Sequence, residues 1–230
     1  MENKQKIKKE KRVRLKIVPV LIVFLVILVI CTLLYFLSLV KISNIYIKGN
    51  NYLNDQLIIE QAEIEDYPSF LKTLKISIKN KLLKNPYIKK VKVRKKIPGT
   101  IEITIEEKNI LFRKDDDRLI VLEDETEVDD NGEYIVPILL NYIPDTKYST
   151  FIKKMNEVNE NIKSQISEIR YYPNQQDEDR FLLYMNDGNS VYLTLTKFKQ
   201  INYYEEVLDQ LNGQKGILYL DSGNHFQVME

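Results

Sequence analysis

The feature that most constrains the fold of this chain is an apolar run from Ile17 to Val40 without a single charged side chain. As an α-helix it would be about 36 Å long, enough to cross a bilayer hydrocarbon core of about 30 Å. The segment before the run (1–16) carries eight bases and two acids, whereas the segment of equal length after it (41–56) carries only two bases, Lys41 and Lys48. This asymmetry predicts a basic cytoplasmic tail (1–16), a transmembrane helix (17–40) and a location outside the cytoplasm for the rest of the chain.

A cleaved secretory signal is the alternative interpretation of the same run. The apolar core of a signal peptide is about 7–15 residues long and ends in small residues. The run here is longer, and it ends in Ser38-Leu39-Val40, a poor cleavage site. We therefore predict an uncleaved, single-pass anchor in the plasma membrane, with the amino terminus in the cytoplasm.

The composition excludes several kinds of chemistry. The only cysteine, Cys31, lies inside the apolar run, and the only histidine is His225. Outside the span there is thus one histidine and no cysteine, which excludes Cys–His catalysis and the usual His/Cys zinc sites there. Beyond the basic tail, the chain from Ile17 onward holds 26 bases and 31 acids, a net charge of −5, which argues against nucleic acid as a partner. We predict no cofactor and no metal.

The first part of the exported chain predicts the order β-α-α-β-β. The β-branched residues of 42–48 predict a strand, and Asn54 is placed to cap a helix that runs to Gln61. A second amphipathic helix is predicted by apolar residues at steps of three and four, namely Leu71, Leu74, Ile78 and Leu82.

Two alternating segments around Pro98-Gly99 then predict a hairpin. Val91 and Val93 alternate with bases on the first segment, and three isoleucines alternate with Glu102, Thr104 and Glu106 on the second. The basic strand would suit a lipid or phosphate site. Pairing of its bases with acids on the neighbouring strand is the simpler explanation and the one we favour.

These segments resemble an FtsQ-type POTRA domain. The resemblance is carried by the I-x-I-x-G-N pattern at Ile45–Asn50, by Asn85–Val93, by the P-G-T-I turn at Pro98–Ile101 and by Glu106-Glu107-Lys108. With a basic tail and one span before it, the chain is similar to the FtsQ/DivIB family of bacterial cell division proteins. We predict a POTRA-like domain over residues 41–108.

The second half predicts a mostly antiparallel β-domain with flanking helices over residues 109–221, followed by a tail (222–230). It contains a short hairpin at 119–127 whose turn lacks the glycine usual in the family, an irregular connection from Pro137 to Pro144, and a hairpin around Asp187-Gly188. Helical spacing is expected in two sets, Phe151, Met155, Val158 and Ile162, and then Phe198, Ile201, Val207, Leu208 and Leu211; Asn212-Gly213 ends the second helix.

The last predicted strand, 216–221, is expected to be a sheet edge to which a partner adds a strand. The alternative is that Phe226-Gln227-Val228 folds back and covers this edge. The resemblance favours the open edge, because the family's carboxyl-terminal β-region binds partner proteins. It implies the partner-binding residues Arg180, Ile217, Leu218, Tyr219 and Leu220.

The resemblance implies a non-enzymatic scaffold at the division septum. Its expected partners are other single-span division proteins, FtsB/DivIC-like and FtsL-like, through which it would help recruit and regulate septal wall synthesis; weak self-association is compatible with this role. The alternative is a membrane-anchored hydrolase of wall glycan that uses paired carboxylates. Two acidic clusters, 115–117 and 123–130, also suggest calcium, but their order fits a solvated loop better.

Overall fold

The computed structural model describes residues 17–115, 118–130, 132, 134–211 and 213–229. The predicted cytoplasmic tail, Asp116, Asp117 and the predicted helix stop at Asn212 lie outside the described residues. The chain divides into two compact units. One comprises residues 1–48, 53–82 and 92–104, and the other comprises residues 49–52, 83–91 and 105–230.

The apolar run forms one helix, α1 (Ile17–Leu39), which ends one residue before the predicted boundary. None of its residues is buried within the protein, and all of them except the half-buried Ser38 are exposed. Among the described residues it is the one helix that is long and apolar enough to cross a membrane.

The predicted β-α-α-β-β order that follows is confirmed. The elements are β1 (Asn44–Lys48), α2 (Asp55–Gln61), α3 (Lys75–Leu82), β2 (Ile88–Lys96) and β3 (Thr100–Glu107). The sheet order is β1-β3-β2, with β1 parallel to β3. Asn54 caps α2 as expected, because its side chain accepts a hydrogen bond of 2.8 Å from the Leu57 amide.

The prediction of the second helix was wrong at its start. The helix α3 begins at Lys75, so Leu71 lies in the preceding turn and Leu74 directly before the helix, and the two are 40% and 58% exposed. This turn is held by its own hydrogen bonds, because the Thr73 hydroxyl donates to the Ser69 carbonyl at 2.9 Å. The Lys95 ammonium group donates to the carbonyl of Thr73 at 2.8 Å and to that of Phe70.

The charge pairing predicted across the β2–β3 hairpin is present. Lys90 and Glu106 form an ion pair at 3.0 Å, and Lys96 and Glu102 form one at 2.5 Å. The hydrogen bonds from these lysines hold the pKa values of Glu102 and Glu106 below the ordinary value.

The second unit contains a nine-stranded sheet with helices packed on it. Its elements are β4 (Ile110–Lys114), β5 (Leu119–Leu122), β6 (Glu127–Asp129), β7 (Ile138–Leu139), α4 (Asp145–Asn156), α5 (Glu160–Lys163), β8 (Ile166–Tyr171), β9 (Arg180–Met185), β10 (Ser190–Thr194), a 3-10 helix (Leu195–Tyr203), α6 (Tyr204–Gln210), β11 (Gly216–Tyr219) and β12 (His225–Val228). The strand order is β12-β11-β10-β9-β8-β7-β4-β5-β6. Five of its eight neighbouring pairs are antiparallel, which confirms a mostly antiparallel domain.

The core of this unit lies between the sheet and the helices. Phe151 on α4 stacks on Phe181 of β9 with ring centroids 4.9 Å apart, and Phe198 of the 3-10 helix meets both rings edge-on. All three side chains are fully buried. This packing holds the two helices against β9, and so stabilises the sheet on which the predicted binding residues lie.

Three local predictions differ from the structure. The apolar stripe from Phe151 to Ile162 is divided between α4 and α5, because residues 157–159 leave the helix and bond to the Asn202 side chain. The connection between Pro137 and Pro144 contains β7, which pairs in parallel with β4 and β8. In the turn that lacks the usual glycine, Glu125 itself takes the left-handed conformation, with φ of 69°.

Candidate functional site

The five predicted binding residues lie at one end of the nine-stranded sheet. Ile217, Leu218 and Tyr219 are on β11, Leu220 directly follows it, and Arg180 opens β9. Arg180 reaches the end of β11 through an ion pair with Asp221. The structure therefore brings the predicted set into one region of the sheet.

The prediction that the 216–221 strand is a sheet edge was wrong. β11 pairs in parallel with β10 on one side and antiparallel with β12 on the other. The chain turns back through Gly223 and Asn224, both with positive φ, and places Phe226 opposite Leu218. The fold-back of Phe226-Gln227-Val228, considered above as the alternative, is what the structure shows.

Because β11 is paired on both sides, the exposure of each side chain decides which of the predicted residues can contact a partner. Leu218 and Leu220 are 3% and 6% exposed and belong to the core, whereas Ile217 and Tyr219 are half-buried. Leu218 and Leu220 support the position of the strand, and the little surface that they expose lines the groove beside α6.

A buried polar network positions the start of β11. The amide oxygen of Asn189 accepts a hydrogen bond of 2.8 Å from the Gly216 amide, and the Asn189 side chain donates to the carboxylate of Asp187 and to the hydroxyl of Tyr204. The Tyr204 hydroxyl in turn donates to Asp187 at 2.9 Å. Burial raises the pKa of Tyr204 well above its usual value, so the phenol remains a donor at physiological pH.

The edge of the sheet at this end is β12. The Met229 amide donates to the Lys215 carbonyl at 2.9 Å, which makes that pair a hydrogen-bonded one. Hydrogen-bonded and non-hydrogen-bonded pairs alternate along an antiparallel ladder. The backbone groups of Gln227 therefore face β11, and those of Phe226 and Val228 face outward, where within the described chain β12 has no second strand neighbour.

The two edges of this sheet differ in how they are protected. The far edge, β6, has only three residues, of which Glu127 and Asp129 are acidic, and Glu127 is bound by Lys114. Short, charged edge strands resist pairing with other chains. In contrast, β12 has four residues, His225 to Val228, with neither an acid, a lysine nor a proline among them. Of the two edges, β12 is the one suited to accept a strand.

A stack of aromatic rings crosses the last three strands on one face. Tyr192 of β10 and Tyr219 of β11 stack with centroids 5.3 Å apart, and Tyr219 stacks on His225 of β12 at 4.6 Å with the ring planes 6° apart. The Arg180 guanidinium lies 3.6 Å from the centroid of Tyr192. The stack fixes β12 to the sheet from the polar side, while Phe226 packs against the core on the other side.

The ion pair between Arg180 and Asp221 lies beside this stack. Arg180 Nε donates to Asp221 Oδ2 at 2.7 Å, and the two side chains are 11% and 10% exposed. Lys197 Nζ donates to the Asp221 carbonyl at 2.9 Å. Arg180 is thus bonded within the protein and stabilises the end of β11, and its role as a partner contact stays a prediction.

A surface groove of about 500 Å³ runs along α6 beside β11 and β12. Apolar side chains dominate its lining, among them Val207, Leu211, Leu218 and Phe226, and Tyr203 at its rim is 59% exposed. The groove adjoins the free edge, so a chain added to β12 would place side chains along it.

The acidic cluster at 123–130 forms ion pairs with neighbouring bases, and most of its acidic side chains are exposed. Asp115, the described residue of the other cluster, is exposed as well. Glu123 pairs with Lys89 at 2.6 Å, and Asp124 pairs with Lys108 at 2.6 Å. Burial alone would raise the pKa of Asp124, but hydrogen bonds from Lys108 and Thr126 outweigh it and lower the pKa below its usual value. In the parts of the chain that the structure describes, no three His, Cys, Asp or Glu side chains are grouped to hold a metal ion.

Sequence reasoning missed Tyr192, Asn189 and the role of His225. The hairpin around Asp187-Gly188 was expected, but β10 pairs in parallel with β11, from which it is separated along the chain by two helices, and no local signal indicates that register. A local signal for β12 was present in the sequence, because residues 225–228 are uncharged and alternate between polar and apolar side chains.

Comparisons with known proteins agree with this architecture. The family model for the POTRA domain, FtsQ-type, matches residues 40–108, and that for the cell division protein FtsQ/DivIB, C-terminal, matches residues 116–222. Cell division protein DivIB of Bacillus subtilis is 32% identical over 231 residues, which cover 96% of this chain and 86% of that protein. The DivIB protein of Bacillus anthracis is 29% identical and covers 97% of this chain and 86% of its own length.

Among solved structures, one match is the major extracytoplasmic domain of the trans isomer of the cell division protein DivIB from Geobacillus stearothermophilus. It is 22% identical, covers 46% of this chain and 96% of that chain, and gives a TM-score of 0.39.

Proposed function

Because the chain belongs to the FtsQ/DivIB family of bacterial cell division proteins, we propose that it is a bitopic scaffold that binds the ectodomains of other single-span division proteins. The expected partners are FtsB/DivIC-like and FtsL-like proteins. Through them the protein helps recruit and regulate septal wall synthesis without catalysis of its own. The proposed division is a tail (1–16), a span (17–40), a POTRA-like domain (41–108), a β-domain (109–221) and a C-terminal tail (222–230), whose strand β12 extends the sheet of the β-domain.

The observation that carries this proposal is the unprotected edge at β12. Outward backbone groups at Phe226 and Val228, together with the adjacent apolar groove, supply the two requirements of recognition by strand addition. The partner's backbone would bond to the edge, and its alternate side chains would enter the groove. Strand β12, and not β11 as the sequence predicted, is the element that receives the partner.

The proposal also assigns a place in the cell. The α1 helix crosses the plasma membrane with its amino terminus in the cytoplasm, and the chain that follows α1 lies outside the membrane at the septum. Confinement of single-span partners beside the same membrane raises their effective concentration, so that a four-residue edge can suffice for binding.

A proline at position 228 tests strand addition. The Val228 amide faces away from β11, so Val228→Pro removes an outward donor without breaking a bond inside the sheet. We expect at least about a tenfold loss of affinity for the FtsB/DivIC-like ectodomain, since one backbone hydrogen bond and the close approach of the two strands are lost together. Calorimetric titration of the full chain in nanodiscs measures it.

Val228→Thr is the matched control, because it keeps both the amide and a β-branched side chain. It should bind like the parent protein. Equal affinity of the proline and threonine variants, with the fold of both intact, would contradict strand addition at β12.

A further inference from the structure

The carboxyl-terminal end of α1 is bonded directly to a surface segment of the first unit. The Ser69 hydroxyl donates to the Ser38 carbonyl at 2.6 Å, and the Phe70 amide donates to the Val40 carbonyl at 2.8 Å. The Ile42 amide donates to the Pro68 carbonyl at 3.0 Å. Residues 68–70 are thus fixed beside the last turn of the helix, at the level where α1 would leave the hydrocarbon core.

The turn between β2 and β3 is fixed at the same place. The Ser43 amide donates to the Gly99 carbonyl at 2.8 Å. A Cβ at position 99 would lie 2.7 Å from the Lys41 carbonyl oxygen, so only glycine allows this approach. The preceding Ile97 is 85% exposed.

Apolar side chains project from the segment that follows Ser69. Leu71, Leu74 and Ile76 are 40%, 58% and 57% exposed, although the helix α3 that begins between them has a buried face of its own. Isolated exposed leucines are common on protein surfaces. These three side chains and Ile97 belong to segments that are bonded to the end of the apolar helix, and exposed apolar patches of this kind mark interaction surfaces.

Unpaired bases alternate with these apolar side chains. Lys72, Lys75 and Lys79 are exposed, and none has an acidic partner among the described residues. The sequence explains this, because residues 67–101 contain eleven bases and no acid. Lys95 in the same unit adds to the positive charge, and burial together with the charge of Lys75 lowers its pKa.

We infer that the part of the first unit that follows α1 docks onto the lipid surface of the membrane that α1 crosses, with Leu71, Leu74, Ile76 and Ile97 in the interface and Lys72, Lys75 and Lys79 on anionic phosphate headgroups. The inference rests on the proposed crossing by α1. Aliphatic side chains beside lysines are the composition of segments that lie in the headgroup region. Each base near an anionic membrane changes the equilibrium between docked and undocked states by about fivefold.

Fluorescence of the full chain in lipid vesicles tests the docking. In a Cys31→Ser background, Leu74→Cys carries an environment-sensitive dye, and the vesicles combine phosphatidylcholine, phosphatidylglycerol and a nitroxide-labelled lipid. The dye at position 74 should emit at shorter wavelength and be quenched by the nitroxide lipid. The same dye at Ile135→Cys, a position 91% exposed in the other unit, should be quenched much less.

A dye at Phe24→Cys separates the two proposals. Quenching at position 24 without excess quenching at position 74 over position 135 would overturn the docking and leave the membrane crossing intact. Absence of quenching at both positions 24 and 74 would overturn the crossing and the docking together.

A charge reversal tests the headgroup contact. Lys72→Glu with Lys75→Glu should reduce quenching at position 74 to the level seen in vesicles of phosphatidylcholine alone. Lys153→Glu with Lys199→Glu, at exposed lysines of the other unit, makes the same change in net charge and should leave quenching unchanged. Equal effects of the two double variants, or equal quenching with and without phosphatidylglycerol, would overturn the role of the lysines.

Discussion

At the scale of single residues, Arg180 makes contacts that stabilise the fold, although it was predicted to contact a partner. The resemblance implied a partner contact, but the side chain is almost fully covered, pairs with Asp221 and stacks on Tyr192. A guanidinium in this position stabilises the junction of β9, β10 and the end of β11. Loss of the Arg180 side chain leaves the Asp221 carboxylate buried without its partner. The resulting loss of folding free energy is larger than the net stabilisation that the ion pair provides.

We therefore expect Arg180→Ala to lower the free energy of unfolding by about 3–5 kcal/mol. Urea denaturation of the full chain in detergent, followed by the near-ultraviolet circular dichroism of the tyrosines, measures this loss. Lys153→Ala, at an exposed lysine on α4, should change it by less than about 0.5 kcal/mol. A loss at Arg180 no larger than the loss at Lys153 would show that the pair contributes little.

At the scale of elements, β12 is held in place by contacts that its own short sequence does not reveal. Gly216 on β11 allows the close approach, because a Cβ there would lie 2.1 Å from the Gln227 carbonyl oxygen. His225 stacks on Tyr219 from one face, and Phe226 packs on the core from the other. The position of β12 thus depends on two residues of β11 and on the core of the unit.

Gly216→Ala should displace β12 and lower stability by about 1–3 kcal/mol, the usual range for overpacking. Hydrogen–deuterium exchange should then increase at residues 225–228. Gly213→Ala, where φ is +80° and the added Cβ would meet no neighbour, strains the backbone without touching β12. If exchange at 225–228 rose equally in both variants, the close approach at Gly216 would not explain the placement of the strand.

The elements that the sequence predicted correctly are those that local chemistry specifies. The hairpins at Pro98-Gly99 and Asp187-Gly188 and the cap at Asn54 each depend on residues close together in the chain. The start of α3 failed because Lys95, on a strand beyond the helix, bonds the carbonyls of a turn that helical spacing alone could not distinguish from a helix.

The candidate site was predicted less completely than the fold. Strand addition at the carboxyl-terminal end of the sheet stays a prediction, and within it the sequence chose β11 as the edge and missed Tyr192. Both depend on strand order, since β10 and β11 pair in parallel across intervening helices and β12 returns after a turn. Periodicity identifies the faces of a strand, whereas the choice of neighbour depends on the packing of the whole sheet.

At the scale of the whole molecule, one apolar helix precedes every other described element. The prediction is that a membrane-impermeant maleimide, added to intact cells, labels Ile135→Cys in a Cys31→Ser background. The same reagent should label a cysteine placed at Lys4 only after the cells are opened, because the basic tail stays inside. Labelling of both positions in intact cells would contradict the single crossing.

The unequal edges of the nine-stranded sheet also limit stoichiometry. Because β6 is short and acidic, the proposed strand addition would extend the sheet at the β12 end alone, with one guest strand for each copy. That guest strand would become the new edge of the sheet and would expose its own backbone donors and acceptors. If that new edge could pair in its turn, strands would continue to add and the complex would grow into a fibre. An assembly of fixed size therefore requires that the guest strand be short, be charged or be covered by a helix, so that no further strand pairs with it.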